Sequence, residues 1–247
     1  METAQYILLF FAGTFAGAVN TVAGGGGMLV LPLMIFLGIP SPIANGTYRV
    51  AIVFQNLTNL SVFIRNKMFP GYLTLFLAVP ALIGCWFGSG LAVEVEAKSF
   101  NRILGLIMFV VVGLMMLKPS KSAVLLTPWR LLLGAICFAG IGFYGGFIQA
   151  GVGFIIILLT MKIFGLGIVQ TNALKSAVVL IYTFLALYRF ESAGKVVWSL
   201  AIPIALGNMT GAFLGARYAV AYPEKVRKAV LVLGVLFGIK LILDSLF

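Results

Sequence analysis

Histidine is absent from this 247-residue chain, and Asp and Glu together number only 6. The acids are Glu2, Glu94, Glu96, Glu191, Glu224 and Asp244, at chain ends or between apolar stretches. No carboxylate is therefore placed for a proton relay or a cation site inside a membrane. Without His, Ser–His nucleophilic catalysis is excluded, and no metal-ligand cluster exists. Neither an enzyme nor an Asp/Glu-driven antiporter fits, and no cofactor is expected. Cysteine is limited to Cys85 and Cys137, both in apolar segments without CxxC spacing, which reads as small buried hydrophobes. Charge of either sign is missing from Thr3 to Tyr48.

What is present is apolar: 62% of residues are hydrophobic, 9% are charged, and the mean hydropathy is +1.15. A soluble domain does not carry that balance; it predicts an all-α polytopic membrane protein. Continuous rather than alternating apolar runs argue against a β-barrel. The N-terminus lacks the basic region and cleavage site of a signal peptide. The net charge of +11 is scattered among loops, so no nucleic-acid partner is expected. It suits an anionic lipid surface or an anionic substrate.

Ten hydrophobic segments are predicted, at about 6–22, 27–37, 43–64, 71–92, 100–117, 131–149, 153–164, 168–188, 196–216 and 228–246. Residues 1–247 form one membrane domain. Segments of ~20 residues span a ~30 Å core. Segments 27–37 and 153–164 do not, and each reads as the short arm of a hairpin broken near the midplane.

The chain repeats itself at an offset of 127 (140 − 13). Gly13 matches Gly140, Gly24 matches Gly151, Gly26 matches Gly153, Gly38 matches Gly165 and Asn45 matches Asn172. Gly84, Gly88 and Lys98 match Gly211, Gly215 and Lys225. The halves, about 6–118 and 131–246, hold five segments each, and the odd number predicts an inverted repeat. Each half opens with a glycine-broken short-helix hairpin. Loop charge agrees. Arg65, Lys67, Lys118, Lys121, Arg130, Arg217, Lys225, Arg227 and Lys228 fall on one side, against Lys98, Arg102, Arg189 and Lys195 on the other. The positive-inside rule puts the richer side in the cytoplasm and both termini outside, in a multi-pass plasma (inner) membrane protein. Each hairpin then crosses an even number of times or re-enters.

The glycine cluster Gly24, Gly25, Gly26 and Gly27 lies inside the uncharged stretch, just after Asn20 and Thr21. Each Gly costs about 1 kcal/mol in a helix relative to Ala. Bare backbone at membrane depth is tolerated only against protein or a wet cavity. Inverted repeats with broken helices are the architecture of secondary transporters, which hold substrate near the midplane. A half-helix starting at the break points unpaired N–H groups and a positive dipole end toward an anion. The candidate cradle comprises the four glycines, Asn20, Thr21, Asn45, Thr47 and Arg49 from the first half. The second half adds Gln149, Gly151, Gly153, Asn172 and Lys175, with Thr171 and Ser176 as further polar residues around the break. Arg49 and Lys175, 126 apart, would converge on one compact anion, a dianion included. Lys162 and Lys240 lie near segment ends and are read as snorkelling. Gln55, Asn56, Thr58 and Asn59 either line the pathway or join helices. Gly84, Gly88, Gly207, Gly211 and Gly215, four apart, read as a helix-packing face. Pro80 and Pro203 kink their helices.

Gly17-x-x-Asn20-x-x-Ala23-Gly24-Gly25-Gly26-Gly27, Pro32, Gly38-x-Pro40 and Ala44-x-Gly46-Thr47 resemble the TauE/SafE sulfite exporter family, also called TSUP. The second copy, Gln149-Ala150-Gly151-Val152-Gly153 with Thr171-Asn172-x-x-Lys175, is similar to it too, as is Gly215-Ala216-Arg217 with Lys225. The resemblance covers nearly the whole chain. It implies movement of small sulfur-containing anions such as sulfite, thiosulfate, sulfoacetate or sulfolactate, in either direction. The glycine-rich break carries over onto Gly24–Gly27 and Gly151–Gly153. The reading is an alternating-access transporter; the second reading is an anion or small-solute channel built from the same hairpins. The partners expected are a small anionic substrate and the lipid bilayer, with a homodimer left open.

Overall fold

The structure is a computed structural model and describes residues 3–65, 71–117, 126–215 and 223–246. Ten helices are found there and no strand: α1 (Thr3–Ala23), α2 (Gly27–Phe36), α3 (Ser41–Arg65), α4 (Gly71–Glu94), α5 (Ala97–Met115), α6 (Pro128–Phe147), α7 (Val152–Phe164), α8 (Ile168–Ser192), α9 (Trp198–Leu214) and α10 (Pro223–Leu246). They match the ten predicted segments in order. By length and composition α4, α5, α6 and α8 are long and apolar enough to cross a membrane.

Local sequence explains the helix ends. Pro128 opens α6 behind Thr127, whose hydroxyl accepts from the Arg130 amide at 3.4 Å. Gly38, at φ +84°, closes α2: its amide donates to the Ile35 carbonyl at 2.9 Å, and that of Ile39 donates to Met34 at 3.1 Å. That is the left-handed glycine cap with its paired return bonds. Gly165, 127 positions later, closes α7 at φ +67°.

The helices cross on small residues. α1 packs on α9, and α6 packs on α4. A Cβ on Gly211 would collide with the Thr14 carbonyl, and one on Gly84 with the Ala139 carbonyl. The glycines spaced by four thus form packing faces, as expected. With lipid outside there is no hydrophobic drive between helices, and close backbone approach supplies the dispersion contact instead. α3 and α8 lie against each other at the centre, with α3 also on α9 and α8 also on α4.

In the second hairpin the ring of Phe164, at the end of α7, presses on Gly134 near the start of α6. Arg130 and Lys162 line one surface cleft. The chain therefore goes out along α6 and comes back along α7. Lys67, Lys118, Lys121 and Arg217, and the side chains of Lys225, Arg227 and Lys228, lie outside what is described, so much of the loop-charge expectation does too.

Candidate functional site

The two hairpins meet at their breaks. Gly24 and Gly151 both take φ +73°, in the left-handed region where a side chain is strained. A Cβ on Gly153 would stand 2.8 Å from Gly24 Cα, and one on Gly27 would stand 3.0 Å from the Gln149 carbonyl oxygen. The strands of the two breaks run past each other in opposite directions, backbone on backbone. Gly26 is pressed on the Ala16 carbonyl of its own hairpin, and Gly25 is buried between them.

Beside the crossing is a small, partly open cavity of ≈ 10 Å³, room for about one water molecule. Its polar lining is Asn20 from the end of α1, Asn56 from α3, Gln149 and Gly153 at the second break, and Lys175 from α8. Ile52, Val152 and Val179 make the apolar part of the wall. Val152 and Gly153 of the first turn of α7 line this cavity, which puts the positive dipole end of that helix at its wall, while the Phe154 amide is bonded to the Gly151 carbonyl at 3.1 Å. Lys175 is buried, only 3% exposed, and its ammonium donates to the Asn20 carbonyl at 3.0 Å. It is the one charged residue of the lining.

The lining amides are oriented from behind. Asn20 Nδ2 donates to Gln55 Oε1 at 3.0 Å, and Gln55 Nε2 reaches the Gly17 carbonyl at 3.3 Å. Gln149 Nε2 donates to the Tyr182 hydroxyl at 3.2 Å, while Gln149 Oε1 is buried without a hydrogen-bond partner. Tyr144 donates its hydroxyl to the Ala150 carbonyl and holds the second break in place. An orphaned buried acceptor is costly, and its presence at a polar cavity marks a place where a donor is missing.

The other predicted cradle residues serve different partners. Arg49 is fully buried. Its guanidinium donates to the Gly145 carbonyl at 3.0 Å and to the Gly146 carbonyl at 2.5 Å, and lies 4.5 Å from the Phe190 ring centroid. Asn45 donates to the Phe147 carbonyl at 2.8 Å. Both residues thus cap the end of α6, where unpaired carbonyls and the negative dipole end favour a cation. Thr47 accepts from the Val197 amide at 3.0 Å, and Thr21 donates to the Gly17 carbonyl at 2.9 Å. Asn172 is half-buried, with Oδ1 lacking a partner. So Asn20, Gln149, Gly153 and Lys175 come together around the cavity, and Arg49, Asn45 and Thr47 are spent on backbone nearby. Spacing alone could not separate these roles, because the guanidinium's reach to α6 depends on how the two halves dock. Asn56 and Gln55 carried a signal, lying with Thr58 and Asn59 in an unusually polar segment. Tyr182 and Tyr144 carried none in the sequence.

Arg49 and Lys175 do share one arrangement. Each cation sits on a central helix and donates to carbonyls at the end of the broken helix from the other half. Arg49 makes two such bonds and Lys175 one.

Comparison with known proteins adds to this geometry. The sequence model of the family described as Sulfite exporter TauE/SafE matches residues 9–241. A probable membrane transporter protein, ORF9, of Sinorhizobium sp is 28% identical over 241 residues, 96% of this chain and 92% of that one. A probable membrane transporter protein of Haemophilus influenzae is 23% identical over 242 residues, covering 96% and 94%. The probable membrane transporter protein YfcA of Escherichia coli K12 is 23% identical over 245 residues, covering 96% and 90%. No solved structure matches the chain.

Proposed function

The chain belongs to the TauE/SafE sulfite exporter family, and from that premise we propose that it is a secondary transporter. It moves a small sulfur-containing anion, such as sulfite, thiosulfate or an organosulfonate like sulfoacetate, by alternating access. The observation that carries this reading is the small cavity with polar lining at the crossing of two broken helices, with Lys175 in its wall. An anion there would accept from the Lys175 ammonium, from Asn20, Asn56 and Gln149 amides, and from N–H groups at the start of α7. It would compete with the Asn20 carbonyl for Lys175, which links occupancy to the position of the α1 end. Arg49, Asn45 and Thr47 hold the frame that the cavity depends on, and the glycines at 24–27, 151 and 153 let the two breaks cross.

A cavity of ≈ 10 Å³ is too small for any of these anions. Admission needs the halves to separate, which favours an occluded carrier over an open channel. The proposed moving bodies are two inverted halves, about 6–118 and 131–246. Their relation is supported by the left-handed glycines 127 apart, Gly24 with Gly151 and Gly38 with Gly165, and by α1 packing on α9 as α6 packs on α4. The protein resides in the plasma (inner) membrane with both termini outside.

Uptake of labelled anion into proteoliposomes, together with currents on solid-supported membranes, tests the reading. Saturable flux with sulfite, thiosulfate or an organosulfonate is expected. No anion-dependent signal, in an assay where a known carrier responds, would sink it; flux that never saturates would favour a channel.

A further inference from the structure

We infer that the cavity selects anions bearing a single negative charge, with a simple sulfonate as the type, and rejects dianions, so that of the anions named above hydrogensulfite and monoanionic sulfonates remain while thiosulfate and sulfoacetate, dianions at neutral pH, are set aside. This rests on the reading of the cavity as the anion site. Its ground is the unequal use of the two central cations. Lys175 lines the cavity and has one backbone acceptor, the Asn20 carbonyl, from which an anion can draw it. Arg49 has been expected to add a second charge. Its guanidinium is instead committed to the Gly145 and Gly146 carbonyls and to the Phe190 ring, and it is absent from the lining.

The remaining donors are neutral. Asn20, Asn56 and Gln149 line it with amides whose nitrogens give one N–H to Gln55, the Ile52 carbonyl (2.8 Å) and Tyr182 respectively and keep a second, and Gly153 adds backbone. Amides and the α7 N-terminus satisfy the several oxygens of a tetrahedral head, yet among the lining side chains only Lys175 neutralises charge. One ammonium balances one anionic charge. A second charge would be buried without a counter-ion, against a wall that includes Ile52, Val152 and Val179, and an unpaired buried charge is strongly disfavoured. The expected penalty is on the order of a hundredfold in affinity.

One further consequence comes from the same lining. The Gln149 carbonyl Oε1, buried without a partner, faces a need for a donor. A hydroxyl on the second carbon from the sulfur would supply it, so isethionate should bind more tightly than ethanesulfonate.

The test is thermal stabilisation of the purified full-length protein in detergent. The panel is methanesulfonate, ethanesulfonate and isethionate against ethanedisulfonate, thiosulfate and sulfate, at matched ionic strength. A ligand that binds the native state raises its apparent stability. The wild type should be shifted by the monoanions at concentrations about a hundredfold below those needed for the dianions. Lys175→Gln should lose the monoanion response, and Asn56→Lys, which adds a second amine to the lining, should gain one for the dianions. Equal response to monoanions and dianions overturns the inference and leaves the anion site standing. So does an Arg49→Lys protein of normal elution profile whose anion affinity falls as far as that of Lys175→Gln. A wild type that responds to no anion at all refutes the site reading itself.

Discussion

Gly24→Ala tests the crossing on which the cavity rests. Two costs add. Gly24 sits at φ +73°, where an L side chain costs roughly 1–2 kcal/mol. The new Cβ would also collide with the Phe154 amide nitrogen and the Gly153 carbonyl carbon, and stand 2.9 Å from Gly153 Cα. These are backbone atoms, so no rotamer change relieves the clash, and overpacking of this kind costs about 1–3 kcal/mol. The sum is roughly 2–5 kcal/mol, or about 5–15 °C in Tm for a chain of this size. Gly38→Ala is the matched control. Gly38 is at φ +84°, yet a Cβ there meets nothing within 4 Å, so only the strain applies. The assay is thermal unfolding in mild detergent, read by a dye that fluoresces on reaction with the buried Cys85 thiol. Gly24→Ala should melt several degrees below Gly38→Ala. Equal melting of the two would refute the claim that the breaks are in backbone contact.

Arg49→Gln leaves the Gly145 and Gly146 carbonyls without their donors and removes the contact with Phe190. The expected loss is about 2–4 kcal/mol of stability, seen as a lower Tm in the same assay. Tyr182→Phe removes the hydroxyl that orients Gln149 and should weaken anion-induced stabilisation by roughly two- to tenfold with little change in helix content by circular dichroism. Gly211→Leu pushes α9 off α1 at Thr14 and should abolish a monodisperse elution profile, whereas Gly140→Ala, with nothing within 4 Å of its Cβ, should be neutral or stabilising by up to about 1 kcal/mol.

Much of this was legible in the residues. Apolar runs interrupted by Gly and Pro marked ten helices, because in lipid a backbone must satisfy its own hydrogen bonds and only glycine or proline allows it not to. Gly24 and Gly151 announced the breaks, since four clustered glycines or a Gly-x-Gly are poor helix formers inside an apolar run. Gly38 and Gly165 were visible as a matched pair and are the caps of the two short arms. Lys175, Asn20 and Gln149, which line one cavity, stood out in the sequence as polar groups within apolar runs.

What the sequence alone determined is therefore the list of elements, the places where helices stop, and the shortage of charge inside. The tertiary structure decided which break touches which, and how each polar group is used. Arg49 and Lys175 look alike along the chain, 126 positions apart and each a cation on a long helix. Docking of the halves puts one guanidinium on two carbonyls and one ammonium at a cavity. That difference lies in distances between segments about a hundred or more residues apart. Local propensity and periodicity carry no term for such distances, so only the packed helices could settle it.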